Sequence, residues 1–278
     1  MNPHAPQGRS PVALARAVWS NRTLLRQMTV REIRGRYQGS IGGMFWSFAH
    51  PLMMLAIYTF VFSVVFKARW NQGPATLDDR TGYALMLFSG LIVHGLFADV
   101  INRAPHLIPS NVNFVKKVVF PLETLPVVCV LAAVFQAGVS LLILLGAHVL
   151  VTGGLSPSSF YTVLVLLPFV VLTLGAAWML ASVGAFLRDL GQLTGIIATL
   201  ALFLSPVFFP VSALPPKLQP LMMANPLTFI IEQVRAVLLL GAQPNWTGLA
   251  AYALLAFVVA WLGFACFQTS RRSFADVL

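Results

Sequence analysis

The sequence predicts an all-α integral membrane protein: six transmembrane helices, an N-terminal interfacial amphipathic helix, and a periplasmic re-entrant helical region between helices five and six. Three observations carry this. Of 278 residues, 58% are hydrophobic and only 9% are charged, whereas soluble domains carry about a quarter charged residues. The uncharged stretches are long enough for helices of roughly 20 residues, the length that crosses a bilayer. The formal charge of +10 is concentrated at the N-terminus and in short inter-span segments, the pattern of topology-setting charge rather than of nucleic-acid binding.

The elements follow in chain order. Pro11–Tyr37 is too charged to cross, but Leu14, Val18, Leu24, Leu25, Met28 and Ile33 form an apolar face among arginines, which predicts a helix lying in the interface. Gln38–Phe66 is uncharged and holds the first span from about Phe48; Thr81–Ala98 holds the second. Thr124–Leu187 has no Asp, Glu, Lys or Arg, enough for two helices broken at the turn-forming Thr152–Ser159. Leu190–Pro216 holds a fifth span running into Pro206 and Pro210, and Leu249–Gln268 a sixth. Pro206–Asn245 is proline-rich; within it, Pro226–Leu240 reads as an apolar helix with Glu232 and Arg235 at i,i+3 spacing. It is too short to span, and dips back only if protein or water covers its backbone. The chain thus divides into an N-terminal region (1–47), a six-helix membrane domain (48–270) and a short tail (271–278).

Thirteen basic residues fall on the side of the termini against five on the other. The positive-inside rule then makes both termini cytoplasmic. Cys129 and Cys266 lie in apolar segments without metal-ligand spacing and read as small hydrophobes. Met1–Arg36 has no compact apolar core of the signal-peptide kind. His50, His94 and His148 sit near helix ends or among apolar residues and are assigned no ligand role. Asp99 is the one carboxylate in the body of a predicted span, and Arg103 one turn on predicts a local pair. The sequence contains no G-x-x-x-x-G-K-[ST] loop, no H-E-x-x-H and no G-x-S-x-G. It therefore reads as no enzyme, with no cofactor or metal in this chain, and its energy source lies on another subunit.

The most informative stretch is Arg31–Pro51. Arg26, Arg31, Arg34 and Arg36 stand just ahead of a glycine-rich bend that enters the membrane. Positive charge at headgroup level either grips a phosphate or anchors the helix to anionic lipid.

The run REIRGRYQGSIGGMFWSFAHPLMMLAIYTFVF (Arg31–Phe62) resembles the N-terminal signature of type-2 ABC exporter permeases for polysaccharides. These membrane subunits export lipid-linked O-antigen, capsule-like glycans and teichoic acid. Asn111–Pro126 (NVNFVKKVVFPLETLP) resembles the family's loop between helices two and three. Phe186–Gln192 (FLRDLGQ) resembles its turn between helices four and five, and Ser205–Pro226 its re-entrant region. The resemblance covers nearly the whole chain in order. It implies a homodimer docked on two P-loop ATPase subunits that bind ATP and magnesium, in the cell inner membrane. The implied cargo is a polysaccharide on a polyprenyl diphosphate.

Carried onto this sequence, the resemblance makes Arg31, Arg34 and Arg36 the diphosphate or headgroup contacts, with lipid anchoring as the alternative. Gly39, Gly42 and Gly43 become a gating hinge, although close helix packing uses the same residues. Phe45, Trp46, Tyr58, Phe62, Phe66, Phe203, Phe208 and Phe209 become channel aromatics, or else packing. Asn113, Lys116 and Lys117, with Glu32, form the contact that couples to the ATPase. Trp19, Trp70, Trp178, Trp246 and Trp261 read as interface anchors or packing. The alternatives are a type-2 permease for a drug, lipid or haem, and a membrane transferase acting on polyprenyl-linked sugars. The transferase lacks an acid/base or metal constellation in this sequence.

Overall fold

A computed structural model describes residues 10–65, 79–116, 120–187 and 189–277. Among these the chain is helical throughout, with no strand. The expected interfacial helix is two helices, α1 (Pro11–Ser20) and α2 (Arg22–Tyr37). The Ser10 side chain caps the first by accepting from the Ala13 amide, and Asn21, with φ −97° and ψ 13°, breaks the run. Its apolar face is not laid on lipid alone, because Leu25 and Met28 are buried against protein.

Among the described residues, five helices are long and apolar enough to cross a membrane. The first, Gly43–Phe62, contains α3 (Trp46–Tyr58), which continues into π-helix over Thr59–Val65. The others contain α4 (Asp79–Arg103), α6 (Thr124–Thr152), α7 (Thr162–Gly184) and α11 (Trp246–Ser270). A short helix α5 (Val112–Lys116) lies between α4 and α6. The predicted break between α6 and α7 is present: Gly153 ends α6 at φ 80°, the left-handed conformation that glycine adopts without a Cβ penalty.

The expected fifth span is shorter than anticipated. Its helix, α8 (Leu190–Phe203), has 14 residues, about 21 Å at 1.5 Å per residue. Pro206 and Pro210 follow, and proline cannot donate to a helical ladder. Even so, the segment follows α4 from end to end. Gly191 abuts His106, His94 bonds the Ala198 carbonyl at 2.9 Å, and the Tyr83 hydroxyl donates to the Phe208 carbonyl at 2.7 Å. Beyond it come α9 (Gln219–Met223), α10 (Pro226–Leu238) and, at the C-terminus, α12 (Phe274–Val277).

Two hydrophobic clusters organise the molecule. One runs through α4, α6, α7 and α10, with Leu87, Phe169, Ile230 and Val237 fully enclosed. The other sits at the basic end. It joins Ala17, Leu25 and Met28 of the N-terminal helices to Val115, Trp178, Phe267 and Phe274. Trp178 is therefore core rather than interface anchor, and its indole N–H donates to the Glu123 carbonyl at 3.1 Å.

Candidate functional site

At the end of α2 the fold places the arginines in different environments. Arg36 faces inward, and its Nη2 donates to Asp99 Oδ2 on α4 at 2.9 Å. Arg103 donates to Glu32 and lies 3.9 Å from Asp99. The expected local Asp99–Arg103 pair is thus one edge of a four-residue network of Glu32, Arg36, Asp99 and Arg103. Its two acids and two bases cancel: Arg36 is ion-paired within the fold, and the Glu32 carboxylate turns to Arg103 of α4.

Next along α2, the Tyr37 hydroxyl donates to Gln136 Oε1 at 2.7 Å, and Gln136 Nε2 donates to the Ser47 carbonyl at 3.1 Å. Burial, and then the nearby Asp99 carboxylate, push the Tyr37 phenol above its usual pKa, which keeps the hydroxyl protonated as that donor. Neither Tyr37 nor Gln136 was singled out from the sequence. A lone glutamine in an uncharged 29-residue helix was the available signal, since polar groups at membrane depth need partners.

Arg31 and Arg34 face away from the four-residue network. Both are exposed, and they share a groove of about 530 Å³ with Gln27, Tyr37 and Met44. The glycine bend closes one side. Gly39 (φ 88°) and Gly43 (φ 49°) adopt conformations that L side chains rarely hold. Gly42 serves differently: a Cβ there would meet the Trp46 ring at 2.5 Å. Phe45 stands 69% exposed and Trp46 is exposed too.

At the opposite end, four predicted aromatics meet. Phe62 lies 6.4 Å from Tyr58 and 6.5 Å from Phe208, and Phe203 stacks on Phe208 at 5.8 Å. Tyr83, overlooked in the sequence, completes the cluster 5.5 Å from Phe62. Phe209 is half-buried alongside in the chain, and Phe66 lies outside the described residues. The loop carrying Phe208 is held by Arg235, which is 2% exposed. Arg235 donates to the carbonyls of Met86 (3.0 Å), Pro206 (2.5 Å) and Val207 (3.0 Å). Its expected Glu232 partner is present at 3.5 Å. Burial lowers the guanidinium pKa to about 10, which leaves it charged at neutral pH. Arg235 is therefore a structural clamp that joins the Met86 carbonyl inside α4 to the Pro206 and Val207 carbonyls, which no helix satisfies, and is not merely a loop charge.

On the basic end, Asn113 and Lys116 of α5 are exposed while Val115 is buried. Phe114 and Phe120 stack at 4.5 Å. They border a groove of about 330 Å³ shared with Leu24, Met28 and Arg31 of α2. Lys117 lies outside the described residues.

Five helices of bilayer-crossing length and apolarity among the described residues define a membrane protein. Residues 23–239 match the ABC-2 type transporter family; the chain belongs to that family and is a transport subunit, one that works with an ABC ATPase. It is 27% identical over 274 residues to the O-antigen export system permease protein RfbA of Myxococcus xanthus, covering 95% of this chain and 99% of that one. It is 25% identical over 260 residues to a protein of the same name from Klebsiella pneumoniae, covering 92% and 95%.

Proposed function

We propose that this chain is the permease subunit of an inner-membrane exporter that carries a polyprenyl-diphosphate-linked polysaccharide of the O-antigen type. ATP and magnesium are handled by two separate P-loop ATPase subunits, and two copies of the permease form the conduit. The observation that carries the reading is the groove with Arg31 and Arg34 exposed and, among the described residues, in no ion pair. Arginine is suited to bidentate phosphate contact. The full-length similarity to O-antigen export permeases supports the same cargo. Six crossings with cytoplasmic termini fit the charge distribution, and the segment from Gly191 to Phe208, following α4 along its length, supports the sixth. The exposed Lys116 and Asn113 beside the Phe114–Phe120 groove suit docking of the ATPase.

Arg31→Ala with Arg34→Ala tests the reading in vesicles containing the permease and its ATPase. Stimulation of ATP hydrolysis by polyprenyl-diphosphate cargo is expected to fall about tenfold with basal hydrolysis unchanged; equal losses in both would reduce these arginines to lipid anchors.

The aromatic cluster at the far end suits a sliding polymer, because ring faces contact sugars without demanding a sequence. Phe62→Ala removes the ring that touches Tyr58, Tyr83 and Phe208. Export of long chains is expected to slow several-fold and short chains less; unchanged flux at every length would return the cluster to packing.

A further inference from the structure

A second cavity, of about 380 Å³, lies among α3, α4 and α6, directly behind the end of α2. Its polar lining is Arg36, His50, His94, Asp99, Gln136 and Ser140, and the Tyr58 ring forms part of its apolar wall. The volume falls in the range of small-molecule sites. Polar and ionisable groups are costly at membrane depth, and where they gather around a cavity they mark a substrate path.

The lining groups discriminate between ligands. The acids and bases at the cavity floor cancel, so the site offers an anion no net attraction. What it presents is a mixture of donors and acceptors. His94 uses Nε2 on the Ala198 carbonyl, which leaves Nδ1 as an acceptor in the neutral tautomer. Ser140 donates to the Gln136 carbonyl and keeps its lone pairs. Gln136 uses one N–H on Ser47 and retains the other. Together with the Tyr58 ring and an apolar wall, such a set suits the polar edge and apolar face of a neutral, hydroxyl-rich ring and mismatches a phosphate.

The two cavities are neighbours across one turn of α2. Tyr37 lines the Arg31–Arg34 groove and reaches through to bond Gln136 on the wall of the second cavity. In a lipid-linked glycan the first sugar is bonded directly to the diphosphate. We infer that the cavity behind α2 receives that first sugar ring while the cationic groove receives the diphosphate, so that this permease reads the reducing-end residue of its cargo. The inference rests on the cargo class proposed above.

The test uses the permease with its ATPase partner in lipid nanodiscs, and two probes: a polyprenyl diphosphate, and the same lipid bearing one N-acetylhexosamine. The sugar-bearing probe is expected to bind about tenfold more tightly. Ser140→Leu, which fills the cavity, and His50→Ala, at an exposed position whose loss leaves the packing intact, are each expected to erase most of that preference and to retain affinity for the bare lipid. If Ser140→Leu fails to fold, His50→Ala decides. Equal affinity of the wild-type complex for both probes overturns the sugar site and leaves the diphosphate reading standing. A preference that persists in the folded variants also overturns it, because the ring then sits elsewhere. Binding of neither probe above phospholipid overturns the cargo class itself.

Discussion

Gly263→Leu is expected to prevent the bundle from assembling. In this structure α7 and α11 pack along their lengths, and their backbones touch where Gly175 faces Gly263. A Cβ on Gly263 would overlap the Gly175 carbonyl oxygen, and one on Gly175 would lie 2.6 Å from the Ala260 amide nitrogen. The obstruction is backbone in both cases, so no rotamer change relieves it. Inside a bilayer the hydrophobic effect does not hold helices together, since lipid tails are as apolar as leucine; close approach through small residues does. Separating the two helices also pulls apart the edge-on contact of Trp178 with Phe264 at 5.3 Å. Overpacking of this kind costs about 3 kcal/mol or more. The check is thermal unfolding and monodispersity in detergent. Gly146→Ala, where a Cβ meets nothing within 4 Å, is the matched control and should unfold like the wild type. Wild-type behaviour of Gly263→Leu would refute the close crossing.

Glu123→Ala is expected to be nearly as damaging. Arg271, at the end of α11, donates to Glu123 at 2.9 Å with the two side chains 4% and 2% exposed. It also reaches the Phe120 carbonyl at 3.3 Å. The pair ties the C-terminus to the turn that leads from α5 into α6, next to the surface assigned to the ATPase. Removing the carboxylate breaks a buried pair, which costs about 3–5 kcal/mol. Replacing both partners with apolar residues of similar volume removes both charges together. Glu123→Leu with Arg271→Met should therefore recover most of the lost melting temperature. Single variants that melt like the wild type would overturn the assignment. A double variant no better than the singles would mean that the hydrogen bonds to the surrounding backbone matter more than the charges.

Much of the architecture was legible in one dimension because the bilayer imposes a one-dimensional rule. A helix must satisfy its own backbone in hydrocarbon, so a long uncharged run is a span whatever it later touches. That is why α6, α7 and α11 lie within residues of where composition placed them. The turn at Thr152–Ser159 was equally local, a glycine with positive φ at the end of α6. The bend after α2 was legible for the same reason, since Gly39 and Gly43 hold positive φ.

What the chain could not disclose alone are the partners of its charges. Charge counting treats every arginine in a loop as facing water. Arg36 instead finds Asp99, 63 residues away, and Arg235 finds the carbonyl of Met86, 149 residues away. Two more of its acceptors, the Pro206 and Val207 carbonyls, lie beyond the end of α8 at Phe203, where they lack helical donors. Likewise Tyr83 joins the aromatic cluster only once α4 and the end of α8 lie side by side. Hydropathy and charge alone determined that this protein is a bundle of membrane helices with a basic face, because burial in lipid depends on each segment's own composition. The tertiary structure decided which cations stay exposed and which are paired within the fold, because pairing depends on distances between segments that local composition does not encode.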